Sequence, residues 1–136
     1  MIVCLSGSFR FYDEILRLRE KLARDGINCL APVPFAYRNV SKPSEFTDEW
    51  VSLSYSQKLR ESKRAELDFL HKIDNADVLY VVNPGGYVGR SVVLEIGYAY
   101  AKGKRVFSMD PIEDFAIMSL TEGTCRLDEL KKRVGS

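Results

Sequence analysis

Glu95 stands in Val92-Val93-Leu94-Glu95-Ile96, among side chains that a folded chain normally buries. An ionised carboxylate taken out of water costs several kcal/mol unless a partner compensates it, so this residue is either part of a polar helix stripe or a carboxyl kept for chemistry. As far as Ala101 its neighbours are apolar apart from Gly97 and the hydroxyls of Tyr98 and Tyr100, which leaves little room for a solvated stripe. A carboxylate held there suits attack on an electrophilic carbon or assistance to a water molecule. Breaking a glycosidic type of bond needs a second group to protonate what leaves. Asp68, on the helix expected before the central strand, and Asp110, at the carboxyl end of the last expected strand, are the candidates. Asp74 and Asp77 flank the entry to the central strand, at the opposite end of the sheet, and read as turn and cap residues.

Two loops carry further chemistry. Ser6-Gly7-Ser8-Phe9-Arg10 follows the first expected strand and brings hydroxyls, a flexible backbone residue and a guanidinium to a helix start, a suitable cradle for phosphate. The same residues also serve as ordinary turn and cap residues. Gly85-Gly86-Tyr87-Val88-Gly89 lies between a strand and a helix and can either present backbone N–H groups to an anion or sugar or simply make a tight turn. Its spacing is neither G-x-G-x-x-G nor the G-x-x-x-x-G-K-S/T of a Walker loop. Cys4 and Cys29 lie in expected strands with no adjacent base and read as core side chains. The lone His71, one helical turn after Asp68, is an unpromising participant.

These residues need a scaffold that brings strand ends together. Apolar runs at Met1 to Ser6, Asn28 to Ala31, Val78 to Val82 and Arg105 to Met109 predict strands, the third of them continuous enough to be covered on both faces. Helical spacing at Ile15, Leu18, Leu22 and Ala23 predicts the first crossover. A longer helix is predicted from Ser56 to Asn75, with Leu59, Ala65, Leu67, Leu70 and Ile73 on its buried side. Another should run from Arg90 to Lys102, and short helices over 111 to 120 and 127 to 134. Strands alternating with helices predict a single α/β domain over residues 1–136, a three-layer sandwich with a mainly parallel sheet. Between 32 and 56, three prolines and the aromatics Phe35, Tyr37, Phe46, Trp50 and Tyr55 predict a lid over the site or a segment packed on the domain or on a partner.

Composition narrows the partners. With 20 basic and 19 acidic residues the formal charge is +1, and nothing in it calls for a nucleic-acid partner. Three widely spaced cysteines and a single histidine argue against a disulfide scaffold and a His-rich metal site. The apolar runs are too short to cross a bilayer, and the start of the chain has no signal-peptide pattern, so a cytoplasmic protein without membrane attachment is expected.

The segments "CLSGSFR", "ELDFLHKIDNADVLYVVNPGGYVG" and "LEIGYAYAKGKRVF", in that order, resemble the nucleoside 2-deoxyribosyltransferase superfamily, particularly its 2'-deoxynucleoside 5'-phosphate N-hydrolase branch. The similarity covers residues 2 to 110, and E-I-G-Y-A followed by G-K-x-V is its most specific part. The resemblance implies a flavodoxin-like or Rossmann-like sheet, cleavage of the bond between base and sugar in a nucleotide or nucleoside, and a homodimer or larger assembly with shared sites; no cofactor is expected. It makes Glu95 the nucleophile and places the family's helix aspartate within a residue of Asp68. It assigns the 5'-phosphate to Gly7, Ser8 and Arg10, with Gly89 and the adjoining turn, including Gly86, as further contacts. Phe9, Tyr12 or an aromatic from residues 35 to 55 is suited to stack on the base, and Asp110 to face the substrate from the last strand end. The approach to Glu95, Arg90-Ser91-Val92-Val93-Leu94, departs from the aspartate-glycine-threonine pattern of the transferases, so hydrolysis is favoured over base exchange. A nucleotide-binding or sensing module without turnover is the alternative outside enzymes.

Overall fold

A computed structural model describes residues 1–134. Four strands, β1 (Ile2–Ser6), β2 (Asn28–Leu30), β3 (Val78–Val81) and β4 (Arg105–Ser108), form one sheet in the order β2-β1-β3-β4, with every neighbouring pair parallel. Cys4 at the middle of β1 pairs with Leu30 on one side and Leu79 on the other. The chain leaves β1 for one neighbour and returns to the other, so strand order reverses at β1 and β3. Loops leaving the carboxyl ends of those two strands diverge and open a crevice.

Alternation along the strands splits the core into two layers. Val3, Leu5, Val78, Tyr80 and Phe107 face α1 (Tyr12–Arg24) and α6 (Leu127–Val134), where they meet Ile15, Leu22, Leu127 and Leu130. Cys4, Leu79, Val81 and Val106 face α3 (Tyr55–Asp74) and α4 (Arg90–Ala101), against Phe69, Ile73, Val92, Ile96 and Ala99. Helix, sheet and helix make the three-layer α/β sandwich expected from the sequence. The same alternation puts Ser6, the last residue of β1 and fully buried, on the α3 and α4 side.

α3 starts on a capping box, with the Ser54 hydroxyl accepting from the Gln57 N–H and the Gln57 side chain accepting from the Ser54 N–H. Its buried line differs from the one expected. Ile73 is buried and Leu70 packs on the core as expected, but Leu59 and Leu67 are 54% and 43% exposed and Phe69 is buried instead. Stepping back from Ile73 by four and then three residues reaches Phe69 and Glu66, so a carboxyl sits on the line that faces the sheet.

Between β2 and α3 lies a segment with one short helix, α2 (Asp48–Ser52), held by its own rings. Phe46 stacks on Trp50 at 4.8 Å, Phe35 meets Trp50 edge-on at 5.5 Å, and an antiparallel bridge joins Arg38 to Phe46. The segment packs on itself, and Phe35, Arg38 and Phe46 from it line the crevice. A short α5 (Phe115–Met118) and the 3-10 turns at Phe9–Phe11 and Pro84–Gly86 complete the chain. No helix among the described residues is long and apolar enough to cross a membrane.

Candidate active site

The crevice at the ends of β1 and β3 is a cavity of about 1230 Å³. The loop after β1, the aromatic segment, one side of α3 and the first turns of α4 line it. Gly7 is the hinge between strand and loop. A Cβ there would lie 2.7 Å from the Val82 carbonyl oxygen, so only glycine lets the loop pass this close to the end of β3.

Glu95 is 6% exposed at the base of the cavity, in the second turn of α4. The Ser6 hydroxyl donates to its Oε1 at 2.8 Å. Glu66 on α3 lies near enough for its charge to act on Glu95, and its Oε1 is buried with no hydrogen-bond partner among the described residues. Among the described residues, no ion pair includes either glutamate. Burial therefore pushes the Glu95 carboxyl up to about 9, with the adjacent Glu66 charge adding to the rise and the Ser6 hydroxyl opposing it. Burial raises Glu66 as well. Each carboxyl therefore favours its protonated form more than a free glutamate does, and charge on one disfavours charge on the other.

Asp68 also lines the cavity, from the exposed side of α3, two residues from Glu66 and so on a different helix face. Gly7, Ser8, Phe9 and Arg10 all lie on the wall, and Gly89 stands at the start of α4 on the same wall. Ser8 caps the 3-10 turn by accepting from the Arg10 N–H at 3.3 Å, and the Arg10 guanidinium lies 3.8 Å from the centre of the Tyr87 ring.

Gly86 and Asp110 sit elsewhere. A Cβ on Gly86, whose φ is +91°, would come within 2.7 Å of the Pro111 carbonyl oxygen, so this glycine serves the turn against the β4 end. Asp110 accepts the Gly85 N–H at 2.9 Å and faces Arg126 at 3.5 Å, outside the cavity wall. The buried Asn83 ties the two strand ends together, donating from Nδ2 to the Asp110 carbonyl and accepting the Asp110 N–H on Oδ1. Burial pushes the Cys4 thiol up to about 12 and the Cys29 thiol to about 11, which leaves neither as a thiolate near neutrality. No cluster of His, Cys, Asp and Glu among the described residues is arranged to hold a metal ion.

Sequence reasoning missed Glu66 and Arg38. The signal for Glu66 was its spacing of three from Phe69 and seven from Ile73. Arg38 sits in an aperiodic segment, where spacing says nothing.

The buried carboxyl has a thermodynamic signature. Between 4.5 and about 9 the folded protein retains a proton that the unfolded chain has released, so its stability falls as pH rises through that window. Glu95→Gln removes this dependence. In denaturant titrations the variant should gain on the parent steadily as pH increases, and parallel stability curves for the two proteins would contradict the assignment.

No family model and no curated protein matches the chain. Solved structures do. A 2-deoxyribosyltransferase from Bacillus psychrosaccharolyticus superposes with a TM-score of 0.61 at 13% identity, over 93% of this chain and 86% of that one. The CMP N-glycosidase BcmB of Clostridium botulinum gives 0.54 at 14% identity, over 99% and 98%. A conserved protein from Enterococcus faecalis gives 0.55 at 14% identity, over 98% and 99%. Nearly full coverage in both directions identifies the fold of this chain as the one shared by the 2-deoxyribosyltransferase and the CMP N-glycosidase.

Proposed function

We propose that the protein cleaves the N-glycosidic bond of a nucleoside 5'-monophosphate through a glutamate nucleophile, releasing the free base and a sugar phosphate. The observation that carries this reading is the Glu95 and Glu66 pair in a cavity that Gly7, Ser8 and Arg10 also line. The fold shared with a CMP N-glycosidase and a 2-deoxyribosyltransferase supports the same bond class.

The pair supplies both halves of a double displacement. In the minority arrangement that leaves Glu95 ionised and the proton on Glu66, Glu95 attacks the anomeric carbon while the carbon–nitrogen bond breaks, its electron pair passing to the base and the proton on Glu66 following it. Glu66, now ionised, takes a proton from water as that water opens the glycosyl ester, which frees Glu95 and returns the proton to Glu66. Two inversions leave the anomeric configuration retained. The Ser6 hydroxyl steadies the ionised Glu95 between cycles. Phosphate held by the β1 loop converts remote binding energy into placement of the sugar over Glu95, and Phe9 offers its ring to the base. Asp68, at the more exposed part of the wall, is the other acid within the cavity.

Base release from a panel of nucleoside 5'-monophosphates and nucleosides tests the reading. Glu95→Gln should abolish release with folding intact, and Glu66→Gln should slow it about 10²–10⁴-fold, the usual range for a lost acid–base group. Asp68→Asn should cost less than Glu66→Gln, and the reverse order would transfer the proton role to Asp68. Unchanged release by Glu95→Gln would eliminate the mechanism. Ligand binding without release from any substrate would favour a sensing module, and a new nucleoside formed on adding a second base would mark a transferase.

The outer faces of α3 and α4 support a second copy as partner. Leu59, Leu67, Leu94 and Tyr100 are each about half exposed, and Leu94 also lines the cavity. Sedimentation should find a dimer that Leu94→Glu weakens; a monomer at all concentrations would remove the shared site from the proposal.

A further inference from the structure

Arg38 is a cation without a counter-ion. Arg17, Arg105 and Arg126 each pair with a carboxylate, whereas Arg38 forms no ion pair among the described residues. It is half-buried, its Nε–H is enclosed without an acceptor among the described residues, and the hydrogen bond its guanidinium makes there is a long one of 3.4 Å from Nη1 to the Ser44 carbonyl. Rings surround it: its guanidinium carbon lies 4.1 Å from the centre of Phe46, 4.8 Å from Phe9 and 5.9 Å from Phe35. Burial among them lowers its basicity, and a guanidinium so placed still stays charged.

Its position gives the charge a use. Arg38 lines the cavity and rests on Phe9, the residue next to Arg10, so two guanidinium groups from different segments flank one loop. Rings attract a cation but leave its N–H donors unsatisfied, and a planar fork of donors matches the oxygens of a phosphate. We propose that Arg38 is a second phosphate-recognising residue of the cavity, which meets the group held by Gly7, Ser8 and Arg10 and so couples the aromatic segment to a phosphorylated substrate. The inference rests on the nucleotide reading above and extends it by making the charge of the phosphate the signal that positions the segment between β2 and α3.

The single tryptophan, Trp50, reports on this directly, because it stacks on Phe46, the ring closest to Arg38. Inorganic phosphate should change Trp50 emission saturably in the parent protein and in Glu95→Gln. Arg38→Gln should weaken that binding on the order of ten-fold or more, as expected for a lost charge-assisted hydrogen bond, and Arg38→Lys should restore only part of it because the fork is gone. Emission without phosphate reports whether the aromatic cluster survives each substitution; if Arg38→Gln disturbs it, Arg38→Lys carries the test. Phosphate bound as tightly by an intact Arg38 variant as by the parent overturns the assignment. In steady-state assays Arg38→Gln should raise KM for nucleoside 5'-monophosphates and leave nucleosides unaffected. Phosphate binding that depends on Arg38 in a protein that releases no base would refute the glycosidase reading alone, and base release with Arg38-independent phosphate binding would refute only the role of Arg38.

Discussion

Two neighbouring carboxyls, Glu95 buried and Glu66 half-buried, with no ion pair to either among the described residues, are the constraint around which this molecule is arranged. Among the described residues the Ser6 hydroxyl is the donor to Glu95, and the charge of a second acid, Glu66, acts on it from α3. Such an arrangement lowers stability near neutral pH, where the unfolded chain would release both protons freely. It persists because the surrounding packing leaves the side chains no other place. Phe69 and Ile73 anchor one helix, Val92, Ile96 and Ala99 anchor the other, and each glutamate lies on the inward line that those residues define.

Sheet topology supplies the rest. Parallel strands deliver every crossover loop to the same edge, and the reversal of order between β1 and β3 parts two of these loops to leave room for a ligand. The carboxyls lie on the α3 and α4 side, reached from the sheet only by Ser6. The β1 loop and the aromatic segment bring guanidinium groups to the same cavity. A substrate with an anionic group and an electrophilic carbon would engage both sets of charges at once. In such a site, binding at the anionic group can be spent on reaction at the carbon.

The scaffold was largely legible in the residues because interior parallel strands are apolar on both faces. Val78 to Val82 has no solvent side, so its pattern admits few alternatives. Glu95 was legible for the complementary reason, as an acid in a run that packing buries. Glu66 was hidden by the composition of its helix, where charges occur on nearly every face and leucines such as Leu59 and Leu67 remain exposed. Apolar counting there follows the wrong line. Gly86 and Asp110 were recognisable as residues at strand ends, yet their partners, Pro111, Gly85 and Arg126, are set by how the β3 turn packs against the β4 end. Arg38 had no readable context, because the segment that holds it is organised by ring contacts rather than by any periodic element.

The state of the carboxyl pair is measurable without a substrate. Titration of the glutamate side-chain carboxyl carbons by NMR, with assignments from the Glu66→Gln and Glu95→Gln variants, reads each proton directly. The account predicts a coupled pair in which one proton is held far above the ordinary value of 4.5 and in which removal of either glutamate shifts the titration of the other. Two independent titrations near 4.5, indifferent to each other's substitution, would contradict it.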